Sequence, residues 1–175
     1  MKLNQKGVTL LELVLSLVII GVVVVVSTEV FVYSSKNIVS ANRTREAVQM
    51  GRMALDRMGR EIRNIGGNRC VTVASRTQFS FVDVDRNSIT FSWNGEGSPL
   101  RRNNDVLVDQ VNNLSFTYYN RAYPPVPIET PAVCSATPCS SACVATEIWL
   151  INMDLTTQSA TETMRFRSQV HPLNF

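Results

Sequence analysis

The chain has 175 residues, with 17 Lys and Arg against 14 Asp and Glu, and 45% of its residues are hydrophobic. That composition fits one domain of ordinary size and excludes both a disordered polymer and a large multidomain enzyme. The net charge of +3 falls well short of the strongly basic domain that nucleic-acid modules carry.

Lys2 and Lys6 open the chain, and an apolar run follows from Val8 to Val26, 19 residues with a single charge, Glu12. As a helix, such a run matches the roughly 20 residues needed to cross a hydrocarbon core of about 30 Å. A secretory signal peptide is a poorer description. Its apolar core spans about 7 to 15 residues and ends in a small-residue cleavage site, whereas Ser27, Thr28 and Glu29 follow this run. A plain membrane anchor accounts for the hydropathy but not for Glu12. A carboxylate inside a membrane segment costs roughly 2.5 to 3.5 kcal/mol on insertion scales and normally has a partner.

The segment Lys6-Gly7-Val8-Thr9-Leu10-Leu11-Glu12-Leu13 resembles the class III signal of type IV pilins and type II secretion pseudopilins. The resemblance implies that a membrane-embedded prepilin peptidase cuts after Gly7, making residues 1–7 a leader, and methylates the new amino terminus at Val8. Residues 8–28 then remain as a transmembrane and filament-core helix. The resemblance also gives Glu12 a role in assembly: its carboxylate meets the amino terminus of a neighbouring subunit, so that two charges costly alone in an apolar core neutralise each other. Gly21 matches the family's glycine at the fourteenth mature position. Two positions depart from the pattern, Val8 where Phe is usual and Glu29 where major pilins commonly carry Pro. The second shifts the resemblance toward minor pilins and minor pseudopilins. Retention of Glu12 and the lack of a large helical insertion disfavour the family's tip-most large pseudopilin.

Beyond the apolar run, Val48, Gly51, Leu55, Met58, Ile62 and Ile65 recur at helical spacing, so the helix is predicted to continue as an amphipathic segment over 29–66. No Pro interrupts residues 8–65, and Gly66-Gly67 supplies a stop. A single helix of that span is about 87 Å long. Arg45, Arg52, Arg57, Arg60 and Arg63 lie off the apolar stripe, with Asp56 to Arg60 and Arg57 to Glu61 at pairing distance. This segment holds the chain's basic excess, seven basic against four acidic residues from Glu29 to Ile65, while Gly66 to Phe175 holds eight against nine.

From Cys70 onward the apolar period becomes two. Phe79, Phe81 and Val84, then Ile89, Phe91 and Trp93, predict two strands around the turn at Asp85-Arg86-Asn87, with a second turn at Asn94 to Gly97. Leu107 to Tyr119, Glu147 to Leu155 and Glu162 to Val170 predict three more. A long helix followed by an antiparallel sheet is an α+β arrangement, with residues 67–175 forming the sheet head. Arg60 to Gly67 and Val108 to Tyr119 resemble, in patches, the corresponding parts of W-type minor pilins and J-type minor pseudopilins.

Four cysteines occur, Cys70 after the helix and Cys134, Cys139 and Cys143 in a Pro/Ser/Ala-rich loop at 131–144. A pilin head lies on the oxidising side of the membrane, where an even count favours disulfides. Three pairings are open, and each joins two loop cysteines to each other and Cys70 to the third, which ties the loop to the end of the helix. The C-x4-C-x3-C spacing is poor for zinc. Asp83 and Asp85 flank a turn but are too few for a calcium cage, and His171 has no evident catalytic partner. No nucleophile elbow, P-loop or zinc-protease motif occurs, so neither an enzyme, a cofactor nor a metal is predicted.

The expectation is therefore a minor pilin or minor pseudopilin held once across the bacterial inner membrane, then moved into a periplasmic or extracellular filament. Its partners would be other pilin or pseudopilin subunits, the prepilin peptidase, the inner-membrane assembly platform and the membrane. Two alternatives compete. One is a DNA-uptake filament subunit, disfavoured by the small charge excess and by arginines without interleaved aromatics; the other is a simple bitopic anchored protein.

Overall fold

The computed structural model describes residues 9–158 and 162–174, which fall into two units, residues 1–42 and 43–175. A single helix, α1 (Leu10–Arg63), supplies the regular structure of the first unit and opens the second. Helix is favoured throughout because no Pro and only Gly21, Gly51 and Gly59 interrupt it. Glu29, where a Pro would loosen the chain, lies within continuous helix.

In the second unit, the head, α1 buries Gly51, Ala54, Leu55, Met58, Gly59 and Ile62. This is the expected stripe with Ala54 and Gly59 added, while Val48 is only half-buried. The amphipathic segment expected from Glu29 thus has a buried face only from Gly51 onward. Eight antiparallel strands follow: β1 (Val71–Ala74), β2 (Gln78–Val82), β3 (Ser88–Ser92), β4 (Ser98–Arg102), β5 (Asp105–Tyr119), β6 (Pro127–Ile128), β7 (Leu150–Gln158) and β8 (Thr163–Val170). Their order in the sheet is β1-β2-β3-β4-β5-β7-β8, with β6 beside the end of β5.

Alternation along these strands sends Phe79, Phe81, Phe91, Leu114, Phe116, Ile151, Met153 and Leu155 inward with Met58 and Ile62 from the helix. The sheet curls far enough for the β1–β2 turn to touch β5, although β3 and β4 lie between them in the order. The Phe116 N–H donates to the Arg76 carbonyl at 2.8 Å, and the Tyr118 hydroxyl donates to the Ser75 carbonyl at 2.8 Å. Phe79 sits inside the curl against Phe81, Phe116 and Tyr118, with ring centroids 5.4 to 5.9 Å away. Each such fully buried side chain contributes roughly 1.5 to 3 kcal/mol through apolar area removed from water.

The strand expectations differ from the structure in informative places. β1 and β4 were not predicted, because V-T-V-A is short and S-P-L-R-R carries one apolar residue and a Pro. The Pro is tolerated because β3 pairs only with Arg101 and Arg102, leaving Pro99 on a stretch without a β3 neighbour. Val84 lies in the turn and is exposed, and β7 starts at Leu150 rather than Glu147. The chain end returns to close the helix: the Leu173 N–H donates to the Arg63 carbonyl at 3.2 Å, and the Asn174 side-chain amide donates to the Ile65 carbonyl at 2.7 Å. The first satisfies a carbonyl of the kind every helix leaves open, and the second one just beyond the helix end. Gly66, expected to stop the helix, instead donates its N–H to the Val82 carbonyl at 3.1 Å.

Candidate functional site

Gly7 and Val8, the expected cleavage and methylation positions, lie outside the described residues. The helix starts two residues later, at Leu10. Thr9 caps it: its hydroxyl accepts from the Glu12 N–H at 3.3 Å, and its carbonyl accepts from the Leu13 N–H at 3.2 Å. Thr9-x-x-Glu12 has the spacing of a capping box, in which the hydroxyl satisfies an orphan donor of the first turn. Sequence reasoning assigned Thr9 no role, although T-x-x-E before an apolar run is a readable signal for one. Glu12 is the acidic residue of that first turn, where the positive end of the helix dipole favours a carboxylate. It is exposed, and its carboxylate has no hydrogen-bond or salt-bridge partner among the described residues.

The helix that follows is long and apolar enough to cross a bilayer. Its most apolar 18-residue stretch has a mean hydropathy of 2.9, and none of that stretch is buried by the rest of the chain. The hydroxyls within it are satisfied by the helix itself. Ser16 donates to the Leu13 carbonyl at 2.8 Å, Ser27 to Val23 at 2.7 Å and Thr28 to Val24 at 2.8 Å. Polar groups satisfied internally are what a surface facing hydrocarbon requires. Gly21 stands in open space, with no atom within 4 Å of where a Cβ would lie. Nothing in this chain requires the glycine, which costs about 1 kcal/mol of helix propensity relative to Ala.

In the head, Cys134 bridges Cys143 within the loop, and Cys70 bridges Cys139 across a sequence separation of 69 residues. All three pairings open from sequence tie the loop to the end of the helix, and the structure selects the one through Cys139. No thiolate remains for zinc. The Asp83 carboxylate is occupied by its own turn, accepting from the Asn87 backbone N–H at 2.7 Å and from the Asn87 side-chain amide at 3.1 Å. Among the described residues no cluster of three or more His, Cys, Asp or Glu could hold a metal. His171 packs edge-on against Trp149, 4.4 Å between centroids, with Nδ1 3.1 Å from the Trp149 carbonyl.

Of the expected helix pairs, Arg57 to Glu61 forms at 3.1 Å. Asp56 and Arg60, both exposed, form no ion pair with each other. Glu61 instead takes a second and closer cation, Arg102 of β4, at 2.7 Å, which fastens the helix to the sheet. That partner lies 41 residues away on an unpredicted strand, so no local spacing marks it.

Residues 2–28 match the family described as Prokaryotic N-terminal methylation motif. No curated protein and no solved structure matches the chain. The match takes in the capped first turn with Glu12 and the apolar start of the helix, so the chain carries a type IV pilin-like N-terminal signal. A motif of this kind is pilin- or pseudopilin-like.

Proposed function

We propose that the chain is a minor pilin or minor pseudopilin, a subunit that starts or caps a type IV pilus or a type II secretion pseudopilus. The observation that carries this reading is the methylation motif running without a break into an apolar helix that its own chain leaves exposed from Leu10 to Ser34. In this reading the peptidase cleaves after Gly7 and methylates Val8, residues 8–28 hold the protein in the inner membrane as a single span, and the same residues become filament core. The head, with its loop tied down by Cys70, Cys139, Cys134 and Cys143, selects neighbouring subunits. Glu29 in continuous helix, in place of the major pilins' Pro, supports a minor rather than a major subunit.

Glu12 supplies the assembly contact. Its carboxylate has no partner within the described residues, and an unpaired charge in hydrocarbon is costly. The free amino terminus of a neighbouring subunit, positive and at the same depth, relieves that cost for both. Glu12→Ala strands the neighbour's ammonium and removes the electrostatic register between helices. It should abolish incorporation into sheared filaments while the membrane level of the processed protein stays normal; unchanged incorporation would remove the role assigned to Glu12.

A further inference from the structure

The sheet has two edges, and they are finished differently. At β1 the disulfide loop lies along the edge: the Cys134 N–H donates to the Val71 carbonyl at 2.9 Å, and the Cys139 N–H donates to the Arg69 carbonyl at 2.8 Å. At the other edge β8 has only β7 beside it, and among the described residues no backbone bond outside that ladder involves Thr163 to Gln169. Alternate N–H and C=O groups of β8 therefore point away from the sheet, a ready template for another strand.

The helix overlooks this edge. A Cβ on Gly51 would come within 2.6 Å of the Phe166 ring, and one on Gly59 within 3.4 Å of Val170, so β8 and α1 run side by side in step. Eight helical residues and four strand residues each span about 12 to 13 Å. Beside that contact the exposed residues Arg52, Asp56, Arg60 and Arg63 form a stripe. Two open clefts, about 380 and 300 Å³, separate the stripe from Arg165, Arg167 and Ser168 of β8. Arg165 and Arg167 share Asp154 at 2.6 and 3.0 Å. Asp56 is the one acid lining these clefts, and Arg52, Arg60 and Arg63 form no ion pair among the described residues.

We propose that this edge takes an extended, acidic segment of a different polypeptide as an added strand. Backbone groups of the segment would pair with β8. Side chains alternate along a strand, so one set would face Arg52, Arg60 and Arg63 and the other would lie beside Arg165 and Arg167. A second copy of this edge is disfavoured, because pairing β8 with β8 sets arginines against arginines. Nucleic acid fits less well, since Asp56 and Asp154 lie within the patch and no aromatic residue interleaves the arginines.

The test uses the full-length chain in detergent micelles, titrated with a fluorescein-labelled, end-blocked peptide of alternating Glu and Val. Controls are the Lys/Val counterpart, a Glu/Val peptide with Pro at its centre, and oligothymidylate. The expected result is saturable binding of the Glu/Val peptide that weakens with added salt, with new amide-exchange protection over 163–169. The Lys/Val peptide should not bind, and the Pro-containing peptide should bind several-fold more weakly because it lacks a ladder donor. Arg60→Glu with Arg63→Glu, at exposed positions without partners, should leave the circular dichroism spectrum unchanged and weaken binding about tenfold. Four results would each overturn the proposal: no saturable binding at low salt, binding indifferent to the Pro, tighter binding of oligothymidylate than of the Glu/Val peptide, or protection of β8 by self-association without peptide.

Discussion

Between Leu10 and Ser34, α1 exposes every residue, valines, leucines and isoleucines included, whereas between Gly51 and Ile62 it buries six positions against a sheet. The first stretch is left unburied by the described residues, and its Ser16, Ser27 and Thr28 hydroxyls bond to its own carbonyls. The second is amphipathic and is held by an ion pair from Glu61 to Arg102 and by the returning chain end at Leu173 and Asn174. One continuous helix thus follows two rules of sequence. Apolar residues in the first half specify an environment that other molecules must supply, and in the second half they specify this chain's own core.

The sharpest way to break that contrast is to loosen the head and leave the apolar half untouched. Cys70→Ser with Cys139→Ser opens a loop of 69 residues, and chain entropy puts the loss at about 4 kcal/mol. Opening the Cys134–Cys143 bridge, with a separation of 9 residues, should cost about 2.5 kcal/mol by the same argument. Denaturant unfolding of the oxidised full-length chain in micelles, followed by near-ultraviolet circular dichroism, measures both. The account of the loop as a staple predicts this order; equal losses would contradict it.

The glycines of α1 sharpen the comparison further. Gly51→Ala places a methyl group 2.6 Å from the Phe166 ring, and the forced shift should cost about 1 to 3 kcal/mol. Gly21→Ala meets nothing within 4 Å and should leave the unfolding midpoint of the head unchanged. Any defect it causes should therefore appear only in filament incorporation, measured on the same strain.

The smallest loss of stability expected in the head concerns Asp154. The hydrogen bond from Arg165 holds its carboxyl below the usual carboxylate range, with partial burial opposing and Arg167 assisting. A carboxyl with a lowered folded pKa adds stability above its unfolded value of about 4, and that stability is lost as pH falls through the lower folded value. Asp154→Asn should flatten this acid limb and cost less than about 1 kcal/mol at neutral pH. The readout is the unfolding midpoint across pH 3 to 7, and an acid limb as steep as that of the unsubstituted chain would refute the assignment.

Much of this was legible in the sequence because it was written as local periodicity. The stripe from Gly51 to Ile65, the alternation at Phe79 and Phe81, and the Gly7 to Leu13 segment each depend on residues a few positions apart. What could not be read depends on chain closure. β4 is anchored by Leu100 and held by a helix carboxylate 41 residues away; the helix end is closed by residues at the far terminus; and the sheet curls so that Ser75 meets Tyr118. At the candidate site the sequence supplied Glu12 by its misfit in an apolar run. Thr9 passed unread because a threonine in such a run reads as membrane-compatible filler until its hydroxyl is seen on the Glu12 amide.

The central claim is that the N-terminal motif and the apolar start of α1 form a processed pilin-like segment and not a plain anchor. Intact mass and N-terminal sequencing of the protein recovered from membranes tests it most directly. The account predicts a chain beginning at Val8 and carrying one methyl group on its amino nitrogen. A chain beginning at Met1, recovered from cells that process other prepilins, would contradict it.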